Sequence, residues 1–232
     1  PYVIYTPGGS INLNNRVEIT NENKISGSYY MNYVSVMKAN VPAILLSLFV
    51  PNWDIYNEED ITGLDYKTLF KIEQIDLKNS IYLASLNAYR KAGKNINVTL
   101  EKPYVTLVSE ESKTDLLVLD EIISIDGKKF TKLSEFQEYI SSLDFDDKVT
   151  FVVKENGKEK EKYAYVINLD GEKKVGISIV TEYDFESDPK LEMKTKASEA
   201  GSSGGLMLSL EIYYLLHLED CSCLILRSMQ IV

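Results

Sequence analysis

Two dipeptides that suit few backbone geometries, Asp126-Gly127 and Asn156-Gly157, punctuate the middle of this 232-residue chain and limit what it can fold into there. Each is the signature of a tight two-residue β-turn, so the apolar runs beside them are predicted to be strands. Leu117 to Ile125 leads into the first turn, while Lys148–Val153 and Lys162–Ile167 flank the second. Between the two turns, Leu133, Phe136, Tyr139 and Ile140 recur at helical spacing across Lys132–Ser142. With Tyr104–Val108 ahead of them, the order is strand, strand, helix, strand, strand. That order predicts a small α+β domain over residues 104–180.

The residues before it, 1–103, read as a mixed α+β region. Tyr2-Val3-Ile4-Tyr5 and the alternating run Tyr29–Val36 are predicted strands, with a turn at Pro7-Gly8-Gly9. From Tyr66 to Ala92 apolar residues including Leu69, Ile72, Ile75, Ile81 and Leu86 keep helical spacing, and Gly93 supplies a stop. Residues 181–216 form a third region, and residues 217–232 an atypical tail.

Charge narrows the function. Lys and Arg total 25 against 35 Asp and Glu, a formal charge of −10 that opposes binding to phosphate-rich partners, so no nucleic acid is expected. Arg16, Arg90 and Arg227 are the only arginines, too scattered for a phosphate clamp. Cys221 and Cys223 lie one residue apart, which disfavours a mutual disulfide and offers too few ligands for zinc. No metal and no cofactor are expected. The apolar run Val41–Val50 is half the length of about 20 residues that a membrane-spanning helix needs.

The middle domain resembles a bacterial PDZ domain, carried by Asp120-Glu121-Ile122-Ile123-Ser124-Ile125-Asp126-Gly127-Lys128, with Leu119 where that family usually has glycine. The resemblance implies capture of a peptide that adds as a strand to a sheet edge, expected along Tyr104, Val105, Thr106, Leu107 and Val108. The family's carboxylate-binding glycine falls at Pro103, which has no N–H to donate. Weak recognition of a free C-terminus is therefore expected.

The third region carries the chemistry. Gly201-Ser202-Ser203-Gly204-Gly205 precedes the apolar run Leu206–Leu216, which reads as a buried helix. A serine at a helix mouth sits beside unpaired N–H groups that can hold an oxyanion. The pentapeptide also satisfies a Gly-x-Ser-x-Gly elbow, and a flexible Gly/Ser linker is the plainer reading of it. The elbow chemistry needs a downstream histidine, and the lone His217 would lie about 21 Å along a continuous helix from Ser203. A Ser–His triad is not expected.

The run Gly201, Ser203, Gly205, Leu206, Met207, Ser209, Leu210, Glu211 and Ile212 resembles the serine motif of Lon-type peptidases, in the form found in PDZ-containing bacterial surface proteases. Ser202 stands where that motif has proline, and Gly204 where it has alanine. The resemblance implies that residues 181–216 begin a Lon-type proteolytic domain. It implies an ATP-independent endopeptidase with Ser203 as nucleophile, backbone N–H groups at Gly201, Ser202 and Gly204 for the oxyanion, and a lysine general base. The substrate would be a peptide or unfolded protein at the extracytoplasmic face of the cell membrane, reached through an anchor preceding this chain. The family's lysine lies beyond the serine, and no lysine follows Ser203 here. The chain is therefore expected to be inactive as it stands. The alternative is a non-catalytic PDZ peptide-binding module with a vestigial protease segment. The tail fits neither the family nor a continued helix, and a shifted reading frame would account for it as well as a short apolar strand at Cys223–Val232.

Overall fold

The computed structural model of the chain describes residues 2–20, 27–57, 63–130, 133–155 and 157–217. They form two compact units, one contiguous (Leu100–Tyr183), the other built from Pro1–Thr99 together with Asp184–Val232. The architecture is α+β. The Cys223–Val232 strand and both cysteines lie outside the described residues, as does Asn156 of the second turn.

In the two-segment unit, β1 (Tyr2–Asn12) is the centre of a sheet, antiparallel to both β3 (Tyr30–Lys38) and β4 (Asp54–Asn57). Its register with β3 slips between Pro7 and Gly9, where a Cβ on Gly8 would fall 2.0 Å from the Tyr33 carbonyl oxygen. Only glycine admits so close an approach. The apolar run at Val41 becomes a short helix, α1 (Val41–Ser47), capped by Asn40.

The long helix α2 (Tyr66–Lys91) starts where the Asp65 carboxylate accepts from the N–H groups of Lys67 (2.9 Å) and Thr68 (3.2 Å). It ends where Gly93, at φ +66°, turns the chain so that its N–H meets Arg90 O and the Lys94 N–H meets Tyr89 O. Against it packs α4 (Gly205–Leu216): Ile81, Ala84, Ala88 and Tyr89 share a core with Leu208, Ile212, Leu215 and Leu216. Leu13, Val17 and Ile19 complete that core. Strand β2 (Val17–Ile19) pairs with β12 (Leu191–Met193), and Arg16 pairs with Glu199 while donating to Lys194 O. Residues 1–99 and 184–217, read apart in the sequence, thus close around one core.

In the contiguous unit the sheet order is β11 (Ile177–Asp188), β5 (Asn95–Val108), β6 (Glu121–Ile125), β7 (Lys148–Glu155), β8 (Lys158–Tyr165). A small hairpin of β9 (Ile167–Leu169) and β10 (Glu172–Lys174) precedes β11. Helix α3 (Leu133–Ser142) turns Phe136 and Ile140 onto Val105, Ile122, Val149, Phe151 and Val153, and leaves Leu133 exposed. The Asp126-Gly127 turn forms with both residues at positive φ, closed by reciprocal main-chain bonds between Ile125 and Lys128.

Candidate functional site

The expected peptide strand, Tyr104–Val108, is not an edge. On one side the Val105 N–H donates to Asp120 O (3.0 Å) and Val105 O accepts from Leu119 N (2.8 Å); on the other lies β11, with Thr106 Oγ1 donating to Ser178 O (3.4 Å) and Ser109 N to Gly176 O (2.8 Å). A peptide adding along Tyr104–Val108 would have to displace a strand. Pro103 lies inside β5 rather than in a loop ahead of an open edge.

The outermost strand on that side is β11. Because Gly176 and Ser178 aim their carbonyls at β5, strand alternation turns the N–H and C=O of Ile177 and Ile179 toward the open edge. Their side chains pack on the same cluster as Phe136 and Ile140 of α3, where Tyr139 and Leu143 are half-buried. Tyr139 is fixed by donating to Asp126 Oδ2 (2.7 Å) beneath the Lys128 ammonium, 4.2 Å from its ring centre. Gly176, at φ +70°, makes the sharp entry into β11. The sequence did hold a signal for this edge: Gly176 followed by Ile177, Ile179 in alternation.

Behind the sheet, Lys162 is buried against Asp120 (2.7 Å) and Glu155 (3.0 Å), and Asp120 also accepts from Leu117 N (2.7 Å). Burial alone would lower the Lys162 pKa, but the two carboxylates outweigh it and raise it. Leu119, which immediately precedes Asp120, is held at φ +74°.

In the other unit, the five residues before α4 form a turn over α2. The Gly201 N–H donates to Glu73 O (2.8 Å), and Ser80 Oγ donates to Ser202 O (3.0 Å). Gly201 sits at φ +97°. A Cβ on Gly205 would come within 2.6 Å of Ser80 Oγ, so a larger residue there would have to turn Ser80 away from Ser202 O. Ser203 is exposed, and its hydroxyl meets no partner among the described residues. The Gly201 N–H is spent on Glu73, whereas those of Ser202 and Gly204 have no acceptor among the described residues. His217 caps the far end of α4 with its ring 4.0 Å from that of Tyr213. It is not a partner for Ser203.

Beside this turn, α2 and α4 leave a cavity of about 380 Å³ whose wall includes Ser202, Gly205 and Ser209 but not Ser203. Two α2 carboxyls face this region. Asp76 has its pKa raised by burial, and Glu73 by burial and then by the nearby Asp76 charge. Deeper in α4, Glu211 is fully buried with neither carboxylate oxygen at hydrogen-bond geometry to a partner; burial raises its pKa, opposed in part by the nearby Tyr29 main chain. Among the described residues no cluster of three His, Cys, Asp or Glu could hold a metal, and no helix is long and apolar enough to cross a membrane.

A family model described as a PDZ domain matches residues 85–163. The PDZ domain of the SdrC-like protein from Listeria innocua is 29% identical over 34% of this chain and 92% of its own, with a TM-score of 0.31. That of the SdrC-like protein from Listeria monocytogenes is 29% identical over 36% and 93%, with a TM-score of 0.32. The second domain of a Listeria protein, solved in solution, is 31% identical over 36% and 88%, with a TM-score of 0.31. No curated protein matches. The sheet and helix just described coincide with the matched residues from β5 to β8, and on that match the chain carries a PDZ domain, a peptide-binding module.

Proposed function

We propose that the chain captures extended peptides on the outer edge of β11 beside α3 and, in its other unit, carries a serine-endopeptidase site centred on Ser203. The observation that carries the first half is the open main chain of Ile177 and Ile179 next to a half-buried apolar floor, the arrangement that strand addition requires. Supporting the second half are the exposed Ser203 hydroxyl, the unspent N–H groups of Ser202 and Gly204, and the resemblance of Gly201–Ile212 to the Lon-type motif. The same resemblance supports a lysine as general base and a place at the extracytoplasmic face of the cell membrane. No base meets Ser203 among the described residues. That observation favours a second reading, a PDZ module that binds peptides without cleaving them.

Two experiments separate the halves. Titrating the ¹⁵N-labelled chain with an unstructured apolar pentapeptide should shift the amides of Ile177, Ile179 and α3, and Ile179→Pro, which removes one outward N–H from an edge strand, should abolish the shifts. Shifts confined to β8, the opposite edge, would overturn the assignment. In a version of the protein that carries a dyad lysine, Ser203→Ala should abolish peptide cleavage and leave peptide binding intact; cleavage at the parent rate would leave only the binding module.

A further inference from the structure

The crossover between β3 and β4 carries an apolar surface that neither the peptide edge nor Ser203 explains. Those two strands flank β1 and run antiparallel to it, so residues 39–53 pass from one side of it to the other through α1. No residue from Ala39 to Trp53 bears a charge. Only Ala43 of α1 is buried, while Phe49 is 84% exposed, Val41 72% and Leu48 71%, with Leu45 and Leu46 also more than half exposed. The run Val41–Val50 is too short to span a bilayer, and internal runs of that length are either core helices or segments that lie in the bilayer interface. Its exposure is not that of a core helix. The polar side chains of α1 and its cap are turned onto the segment's own backbone: Asn40 Oδ1 accepts from Ala43 N (2.9 Å), and Ser47 Oγ donates to Ile44 O (2.7 Å). At the exit, Leu46 O accepts from both Phe49 N (2.9 Å) and Val50 N (3.0 Å). A protein partner is held through a rim of hydrogen bonds, whereas hydrocarbon admits polar groups that are already satisfied, and α1 has the second character.

We propose that this segment inserts into the interfacial layer of a lipid bilayer, with Leu45, Leu46, Leu48 and Phe49 among the acyl chains. Trp53 closes the uncharged run half-buried, and Tyr2 and Tyr56 of the adjoining strands are exposed. These are the aromatic types that settle at the boundary between acyl chains and headgroups. Lys38 and Asp54 bracket the run and limit its depth. With a formal charge of −10 the chain gains nothing from an anionic surface, so the attraction is apolar and a neutral headgroup serves as well as a negative one. The insertion needs neither Ser203 nor the β11 edge. The Ala39 N–H donates to Tyr2 O (2.8 Å), so an anchor preceding this chain would leave the bilayer beside α1. Only this agreement with an anchor rests on the reading above.

The test uses the chain as it is, because Trp53 is its only tryptophan and reports on the segment directly. Mixed with phosphatidylcholine vesicles, the chain should float with them, its emission should move to the blue, and lipids brominated on the acyl chains should quench it. Vesicles of phosphatidylcholine and phosphatidylglycerol in equal parts should bind it no more tightly. Phe49→Asp should weaken partitioning by roughly tenfold or more, and Leu48→Ser by less, with the far-ultraviolet spectrum unchanged because both side chains are exposed. Leu117→Ser, at an exposed apolar position of the other unit, should partition like the parent. Absence of quenching by brominated lipid, full partitioning of Phe49→Asp, or binding that requires phosphatidylglycerol would each overturn the proposal. So would a concentration-dependent dimer that Phe49→Asp abolishes in a chain that does not float, which gives the surface to a second copy. If Phe49→Asp fails to fold, Leu48→Ser and quenching of the parent decide. Since no described helix can span the bilayer, flotation tests α1 and leaves the anchor reading to stand or fall separately.

Discussion

Lys162 Nζ lies 2.7 Å from Asp120 Oδ2 with the two side chains 8% and 2% exposed, so the strand β8 is tied to the entry of β6 by a charge pair cut off from water. Removing the Asp120 charge leaves the buried Lys162 ammonium with only the partly exposed Glu155 at 3.0 Å and weakens the acceptor of the Leu117 N–H, which costs more than the intact pair is worth. Asp120→Asn should destabilise the contiguous unit by about 3 kcal/mol, read as a lower urea midpoint with an unchanged slope.

The same pair sets a pH dependence. The folded-state pKa of Lys162 is raised above the ordinary 10.5, so its stabilisation is fully present below that value and is lost as pH rises through the folded pKa. Thermal unfolding of the parent should therefore lose stability in the alkaline range, above pH 10.5. Lys162→Met should show a shallower alkaline loss, and parallel curves would refute the link.

Leu119 holds φ +74° where a side chain is strained and glycine is not. In that conformation its N–H donates to Val105 O (2.8 Å) and the Asp120 N–H to Leu117 O (3.1 Å). Leu119→Gly should stabilise the protein by roughly 1 kcal/mol despite the added freedom of the unfolded chain, checked by the urea midpoint.

Glu211, like Lys162, makes stability fall as pH rises, but in its case because burial disfavours the charged form. Its folded-state pKa is raised by burial, so above the ordinary 4.5 the folded protein holds a proton that the unfolded chain releases, and stability falls as pH rises. Glu211→Leu should raise stability at pH 7 by about 1–2 kcal/mol, and the gain should shrink toward pH 4. An equal gain at both pH values would exclude the buried carboxyl as its cause.

Much of the secondary structure was legible because it rests on local rules. The Tyr66 helix begins at an Asp cap and ends at Gly93, and the Asp126-Gly127 turn needs no tertiary help, so spacing and turn chemistry placed them within a residue or two. The choice of peptide edge was not legible in that way. Which of two neighbouring strands is outermost depends on β11 returning from seventy residues away to lie beside β5, and nothing in Tyr104–Val108 itself records that return. Asp76 escaped notice for a related reason: within α2 it reads as an ordinary solvated charge, and only the approach of α4 makes it a cavity wall. The Gly201–Gly205 motif was visible as a string, but that Gly201 spends its N–H on Glu73 follows only from the packing of the turn on α2.

The pairing of β2 with β12 joins residues 17–19 to residues 191–193, and the α2–α4 core likewise draws on both ends of the chain. A ribosome makes these halves far apart in time. Leu100–Tyr183 is contiguous, so it can fold as soon as it emerges, while the first hundred residues must wait with Ile81, Ala84, Ala88 and Tyr89 uncovered until α4 is made. A folded insert with its two ends held close would shorten the loop that β2 and β12 have to close and so lower its entropic cost. The PDZ domain, which interrupts the other unit in sequence, would then serve first as an aid to that unit's assembly, and variants that destabilise it, such as Asp120→Asn, should expose the waiting half to proteolysis during translation.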